Sequence, residues 1–103
     1  MRYAKIIKLS HGVNPVRYMY YYIYRLESDK DGNFYVGYTN DLKQRLALHH
    51  DGKVQSTKNR RPLNLVYFEG CINQQDATKR EKYLKTAWGK RYIKFRLCNY
   101  LMG

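Results

Sequence analysis

Acidic residues are scarce in this 103-residue chain: 8 Asp and Glu stand against 20 Lys and Arg, a formal net charge of +12. So strong a positive field favours polyanionic partners, nucleic acid first and acidic membrane surfaces second. Long apolar runs are also missing. No stretch approaches the roughly 18 residues of a membrane-spanning helix. Met1-Arg2-Tyr3-Ala4-Lys5-Ile6-Ile7-Lys8 lacks the apolar core of a secretory signal. Cysteine is limited to Cys71 and Cys98. Without a signal they read as free thiols in a reducing compartment. Neither has a metal-ligand partner at CxxC or HxxxH spacing, which argues against a zinc site. Proline occurs twice, and apolar residues are spread along the chain, which argues against disorder. The expectation is one soluble, cytoplasmic domain without membrane attachment.

Tyrosine is what the chain has in excess. Apolar residues make up 44% of it, but that count includes 12 tyrosines, so part of the core must be built from tyrosine rings. Charge is unevenly placed. Glu27 to Asp41 holds four acids and one base, whereas Lys79 to Arg96 holds eight bases and one acid, Glu81. Lys53, Lys58, Arg60 and Arg61 form a second basic segment without an acid. Residues 1–18 carry four bases and no acid, then a turn signal at His11-Gly12-Val13-Asn14-Pro15. They read as a loosely attached extension, with a nucleic-acid-contacting arm as the second reading and Met19 as a candidate start.

Tyr20 to Leu26 and Phe34 to Tyr38 are rich in β-favouring residues and flank a turn cluster, Asp29-Lys30-Asp31-Gly32-Asn33. They read as a hairpin. A symmetric register sets Tyr24 opposite Tyr35. Alternation then puts Ile23, Phe34, Val36 and Tyr21 on a core face, and Tyr22, Tyr24, Tyr35 and Gly37 on the other. Asp41 to His50 reads as a helix capped by Thr39 or Asn40 and ended by Asp51-Gly52. Leu63 to Glu69 reads as a third strand. Asn73 to Trp88 reads as a helix with Ala77, Glu81, Leu84 and Trp88 on its apolar stripe. After Gly89 a third helix runs to about Tyr100, with Ile93, Leu97 and Leu101 inward. The class is α+β: a small three-stranded, mainly antiparallel sheet flanked by three helices, in the order β-β-α-β-α-α.

Three polar residues sit on these apolar faces. Glu81 must be desolvated, which requires compensation. A nearby cation could supply it, or Glu81 could ligate a hard divalent ion that keeps several waters. Arg45 shares a face with Leu42, Leu46 and His49. It could pack its stem and leave its head in water, or hold a phosphate bidentately. His49 could be a hydrogen-bonded structural residue, a phosphate donor or a general base. Together with two tyrosines, this set could support phosphodiester hydrolysis. A binding module without chemistry is the other reading, since aromatic strands in a basic domain also suit base stacking.

Tyr22-Ile23-Tyr24 followed by Tyr35-Val36-Gly37-Tyr38-Thr39 resembles the paired motif of the GIY-YIG nuclease superfamily. Asn40 to His49 resembles its arginine helix, and Lys79-Arg80-Glu81-Lys82-Tyr83-Leu84-Lys85 its glutamate helix. The short stand-alone members, which resemble the N-terminal domain of the excinuclease C subunit, are the nearest in pattern. The match runs from about Tyr20 to Tyr100. The resemblance implies a metal-dependent endonuclease acting on DNA, with DNA repair among its roles. Tyr24 or Tyr35 would act as base or position the water, and Gly37 would let backbone approach the site. Arg45 would stabilise the phosphoryl group, His49 would assist, and Glu81 would be the single ligand of one Mg²⁺ or Mn²⁺. Lys53, Lys58, Arg60, Arg61 and Lys85 would hold DNA phosphates. The first-motif glycine is Tyr22 here. With no appended DNA-binding domain in the sequence, specificity would be weak, structure-directed, or borrowed from a protein partner. The catalytic reading asks Tyr24, Tyr35, Arg45 and Glu81 to meet on one concave surface.

Overall fold

The computed structural model describes residues 19–103. The expectations for residues 1–18 lie outside the described residues. The order is β1 (Tyr21–Ser28), β2 (Phe34–Thr39), α1 (Leu42–His50), a 3₁₀ turn (Lys58–Arg60), β3 (Leu63–Cys71), α2 (Gln74–Leu84), α3 (Ala87–Arg96) and α4 (Cys98–Met102). β1 is the central strand, with β2 and β3 both antiparallel to it. The α+β architecture is the expected one. Its last helix is split in two, α3 and α4.

The hairpin register differs from the symmetric expectation. Tyr24 lies opposite Gly37, and Tyr35 lies opposite Leu26. The cause is the turn. β1 continues to Ser28, whose buried hydroxyl accepts the amides of Lys30 and Asp31. Gly32 then takes the left-handed conformation at φ +71° that its lack of a Cβ permits. A slip of two residues preserves the face of every side chain, so the core and tyrosine faces stay as expected.

One sheet face is closed by α2 and α3. Ile23, Ala77, Leu84 and Ile93 form its buried core, with Tyr21, Val36, Tyr38 and Leu97 packed around them. Rings thus supplement a small aliphatic centre, as the composition requires. On the other face, buried Tyr24 meets α1 through His49, and Ser28 donates to the Arg60 carbonyl. α1 is capped by Asp41 itself, not Thr39 or Asn40. Its carboxylate accepts the Gln44 amide at 3.0 Å, satisfying one of the free donors of the first turn.

The helix expected to run to Trp88 stops at Leu84. Thr86 starts α3 by accepting the Gly89 amide at 3.2 Å. Trp88 therefore leaves the stripe and is 67% exposed, while Ala77 and Leu84 stay buried. Gly89 is the reason the corner is tight. A Cβ there would overlap the Tyr83 carbonyl and Leu84 Cα, so only glycine lets the first turn of α3 sit on the last turn of α2.

Candidate active site

Tyr24 is held from three sides. Its ring fills the space over Gly37, where a Cβ would overlap its Cζ and hydroxyl oxygen. Its hydroxyl lies 2.7 Å from His49 Nε2 and accepts from Arg45 Nε at 3.4 Å. Arg45 and His49 are one turn apart on α1, which is why one helix face delivers both. Tyr35 completes the group. Its ring centroid is 5.3 Å from that of His49 and 6.2 Å from that of Tyr24.

His49 is buried, and its other nitrogen, Nδ1, lies 2.7 Å from Thr57 Oγ1. Thr57 is wholly buried as well. Nothing in the sequence pattern pointed to it, because it stands in a basic loop without periodicity. The only signal was its type, a small hydroxyl residue among exposed cations. The loop brings it back under α1 through the turn at Gly52, φ +74°, and the 3₁₀ turn after it.

Burial governs the proton affinities. It pushes Tyr24 up to about 12, against the opposing pull of Arg45, with Tyr35 adding to the rise. It pushes His49 down to about 4, and the Arg45 charge adds to that. The hydrogen bond to Tyr24 raises Arg45 despite partial burial. At neutral pH the cluster is therefore a neutral tyrosine, a neutral imidazole and a permanent guanidinium. With the proton on Nδ1, His49 donates to Thr57 and Nε2 accepts the Tyr24 hydroxyl proton. The chain then runs Arg45 to Tyr24 to His49 to Thr57, with every buried polar group partnered.

Glu81 is not hydrogen-bonded into this chain. α2 packs on the opposite sheet face, and the Glu81 carboxylate is paired with Lys85 Nζ at 3.1 Å, one turn on. No hydrogen bond joins it to Tyr24, Tyr35 or Arg45. The end of α2 still approaches the β2 edge, because Lys85 and Tyr35 line one cavity. Among the described residues no group of three His, Cys, Asp or Glu could hold a metal ion. Glu81 alone fits a hard cation that keeps its waters: its side chain is partly exposed, and only Oε2 is engaged by Lys85.

The basic loop divides. Arg60 pairs with Asp31 at 3.1 Å and reaches the Phe34 carbonyl. Arg61 donates to the carbonyls of Lys58 and His50. Both brace the loop against the hairpin and α1. Lys53 and Lys58 remain exposed.

Residues 20–93 match the family model described as the GIY-YIG catalytic domain. The chain belongs to the GIY-YIG family. Its curated relatives include a UPF0213 protein of Streptococcus pneumoniae, 42% identical over 62% of this chain and 65% of that protein. The UPF0213 protein YazA of Bacillus subtilis is 41% identical over 60% of this chain and 64% of its own. The chain thus spans slightly under two thirds of the length of both. A UPF0213 protein of Staphylococcus saprophyticus is 39% identical over 72% of this chain and 90% of its own length. The solution structure of a UPF0213 protein from Bacillus halodurans aligns with a TM-score of 0.47 and 32% identity, covering 73% of this chain and 82% of that one. GIY-YIG domains form a nuclease superfamily. No helix of the described residues is long and apolar enough to cross a membrane.

Proposed function

We propose that this GIY-YIG protein is a metal-dependent endonuclease that hydrolyses DNA phosphodiester bonds, with weak sequence specificity or structure-directed targeting. The observation that carries the reading is the Arg45–Tyr24–His49–Thr57 chain. A tyrosine with its pKa near 12 is a poor base on its own. His49, with its pKa held near 4 by burial and the Arg45 charge, is a weak base too, so the pair orients the water and does not store its proton. Water held at the Tyr24 oxygen loses its proton to solvent. The resulting hydroxide attacks phosphorus, the bond to the 3′ oxygen breaks, and that oxygen takes a proton from solvent. Arg45 donates to Tyr24 through Nε and interacts with Tyr35, and its terminal nitrogens would turn to the non-bridging phosphate oxygens. Tyr35 borders the group and positions water. Mg²⁺ or Mn²⁺ would be held by Glu81, one turn from Lys85, which shares a cavity with Tyr35, and on that β2 edge it would neutralise charge on the phosphoryl group and the leaving oxygen. Exposed Lys53, Lys58 and Lys85 would hold flanking phosphates, and a protein partner would supply any tight targeting.

One observation favours a second reading, a nucleic-acid-binding module without chemistry: Glu81 is occupied by Lys85. A single assay separates the two. Purified protein is incubated with single-stranded, nicked and branched DNA and either metal. The nuclease reading requires cleavage that Arg45→Ala and Glu81→Ala abolish. Salt-dependent binding without cleavage of any substrate would establish the second reading instead.

A further inference from the structure

A cavity of about 850 Å³ opens at the β2 edge of the sheet, between β2 and the helices α2 to α4, with Tyr35 in its wall. Its volume is in the range of small-ligand sites. Four cations line it, Arg25, Lys85, Lys90 and Lys94, and no acid does. Phe34 and Leu101 supply apolar wall. Glu81 is paired with Lys85, and Glu27 accepts the Tyr100 hydroxyl while its charge still acts on Arg25.

The arrangement is costly when empty. Lys90 and Lys94 are one helical turn apart on α3, a like-charge spacing that destabilises a helix. The Arg25 guanidinium lies 3.6 Å above the Phe34 ring centroid, with its Nε buried and without a hydrogen-bond partner among the described residues. A buried donor left unpaired is unfavourable. Burial also lowers the pKa of Arg25, and the Glu27 charge offsets that only in part. An anion in the cavity would answer the lysine repulsion and the deficit at Arg25 together. A bare halide would leave the apolar wall unused, whereas a phosphate ester carries an apolar body beside its charge.

We propose that this cavity is a phosphate-binding site that takes a nucleotide phosphate, with its oxygens on Lys90, Lys94 and Arg25 and its sugar and base against Phe34. Tyr35 lines the same cavity, so a strand held there would run past the catalytic edge of β2. A free nucleotide has the same chemistry. The site requires no cleavage and stands whether or not the nuclease reading does.

The test uses isotope-labelled full-length protein in EDTA, which removes cleavage from the readout. Deoxyadenosine monophosphate, inorganic phosphate and a short DNA oligonucleotide are titrated separately while the Arg25 Nε–H resonance is followed by NMR. The expected result is a saturable shift of that resonance with a phosphate ester. Combining Lys90→Glu with Lys94→Glu should weaken the response by about tenfold or more, with a melting temperature close to that of the parent. A shift with the mononucleotide assigns a free-nucleotide site, and a shift with the oligonucleotide alone assigns a track for the DNA strand. No shift with any of the three probes, or unchanged affinity in the double variant, would overturn the proposal.

Discussion

Tyr24 and Gly37 face each other across the β1–β2 ladder, and the tyrosine ring occupies the space that a side chain at position 37 would need. A Cβ on Gly37 would overlap Cζ and the hydroxyl oxygen of Tyr24 and lie 2.9 Å from Cε1. The resemblance assigned this glycine to close backbone approach at the site. In the structure its role is to let a neighbouring strand's tyrosine lie flat and reach His49. Gly37→Ala should therefore displace Tyr24, lower cleavage at least tenfold, and cost about 1–3 kcal/mol from overpacking. Kinetics with denaturant unfolding would check both. Full activity in a folded Gly37→Ala protein would sink the assignment.

His49 makes stability depend on pH. Its folded pKa, about 4, is below the unfolded value near 6.5. Because the lowered group is a base, the unfolded chain binds the proton first. Its contribution is complete above about pH 6.5 and is lost as pH falls toward about 4, by at most about 3 kcal/mol. Tyr24 has the opposite window: its pKa is raised, so stability is lost as pH rises from about 10 toward about 12. Urea unfolding across the acid range, in the parent and in His49→Gln, would isolate the acid limb. An identical slope in both proteins would exclude His49 as its source.

Thr57 should matter as much as a motif residue. Thr57→Val keeps the volume and removes the partner of His49 Nδ1. An unsatisfied buried ring nitrogen costs about 1–3 kcal/mol. The imidazole also loses the bond that selects its tautomer, so kcat should fall with little change in KM. Thr57→Ser should restore both. Nitrogen-15 shifts of the His49 ring would report the tautomer directly.

Glu81→Gln separates charge from packing. The Glu81–Lys85 pair is partly exposed and within one helix, an arrangement worth about 0.5 kcal/mol or less. The variant should melt within a few degrees of the parent yet lose metal-dependent cleavage. Cleavage that persists in Glu81→Gln at unchanged metal concentration would remove Glu81 from the site.

Gly89→Ala tests the α2–α3 corner. The added carbon would overlap backbone atoms of Tyr83 and Leu84, which cannot yield as a flexible side chain would. A loss of about 2 kcal/mol or more follows. Trp88, the single tryptophan and largely exposed, should change its emission as α3 shifts. An unchanged melting temperature would show that the corner relaxes freely.

Local signals made much of this readable in advance. The turn cluster, the strand-rich tyrosine runs, the Asn73 cap and the i, i+4 spacing of Arg45 and His49 all act within a few residues of one another. They were enough for the α+β class, the hairpin and the helix face that carries two candidate residues. Three features escaped because each depends on contacts between distant segments. Helix periodicity continues through Trp88, but Thr86 capping and the close fit of Gly89 end one helix and start another. Arg60 and Arg61 look like free cations in the sequence, and the folded loop uses them on Asp31, Lys58 and His50. Thr57 becomes a site residue only when the loop folds under α1.

The scarcity of acids and the four ordered motifs are properties of the chain itself. Those alone determined a basic GIY-YIG domain with Tyr24, Tyr35, Arg45, His49 and Glu81 as candidates. What the tertiary structure decided is how they are connected. It buried Tyr24 and His49 together, which moves their pKa values apart, and it gave Thr57 the far side of the imidazole. It also paired Glu81 with Lys85 at the end of α2. Composition and spacing list which charges exist, whereas desolvation and hydrogen bonding depend on which groups meet, and only the folded chain brings those groups together.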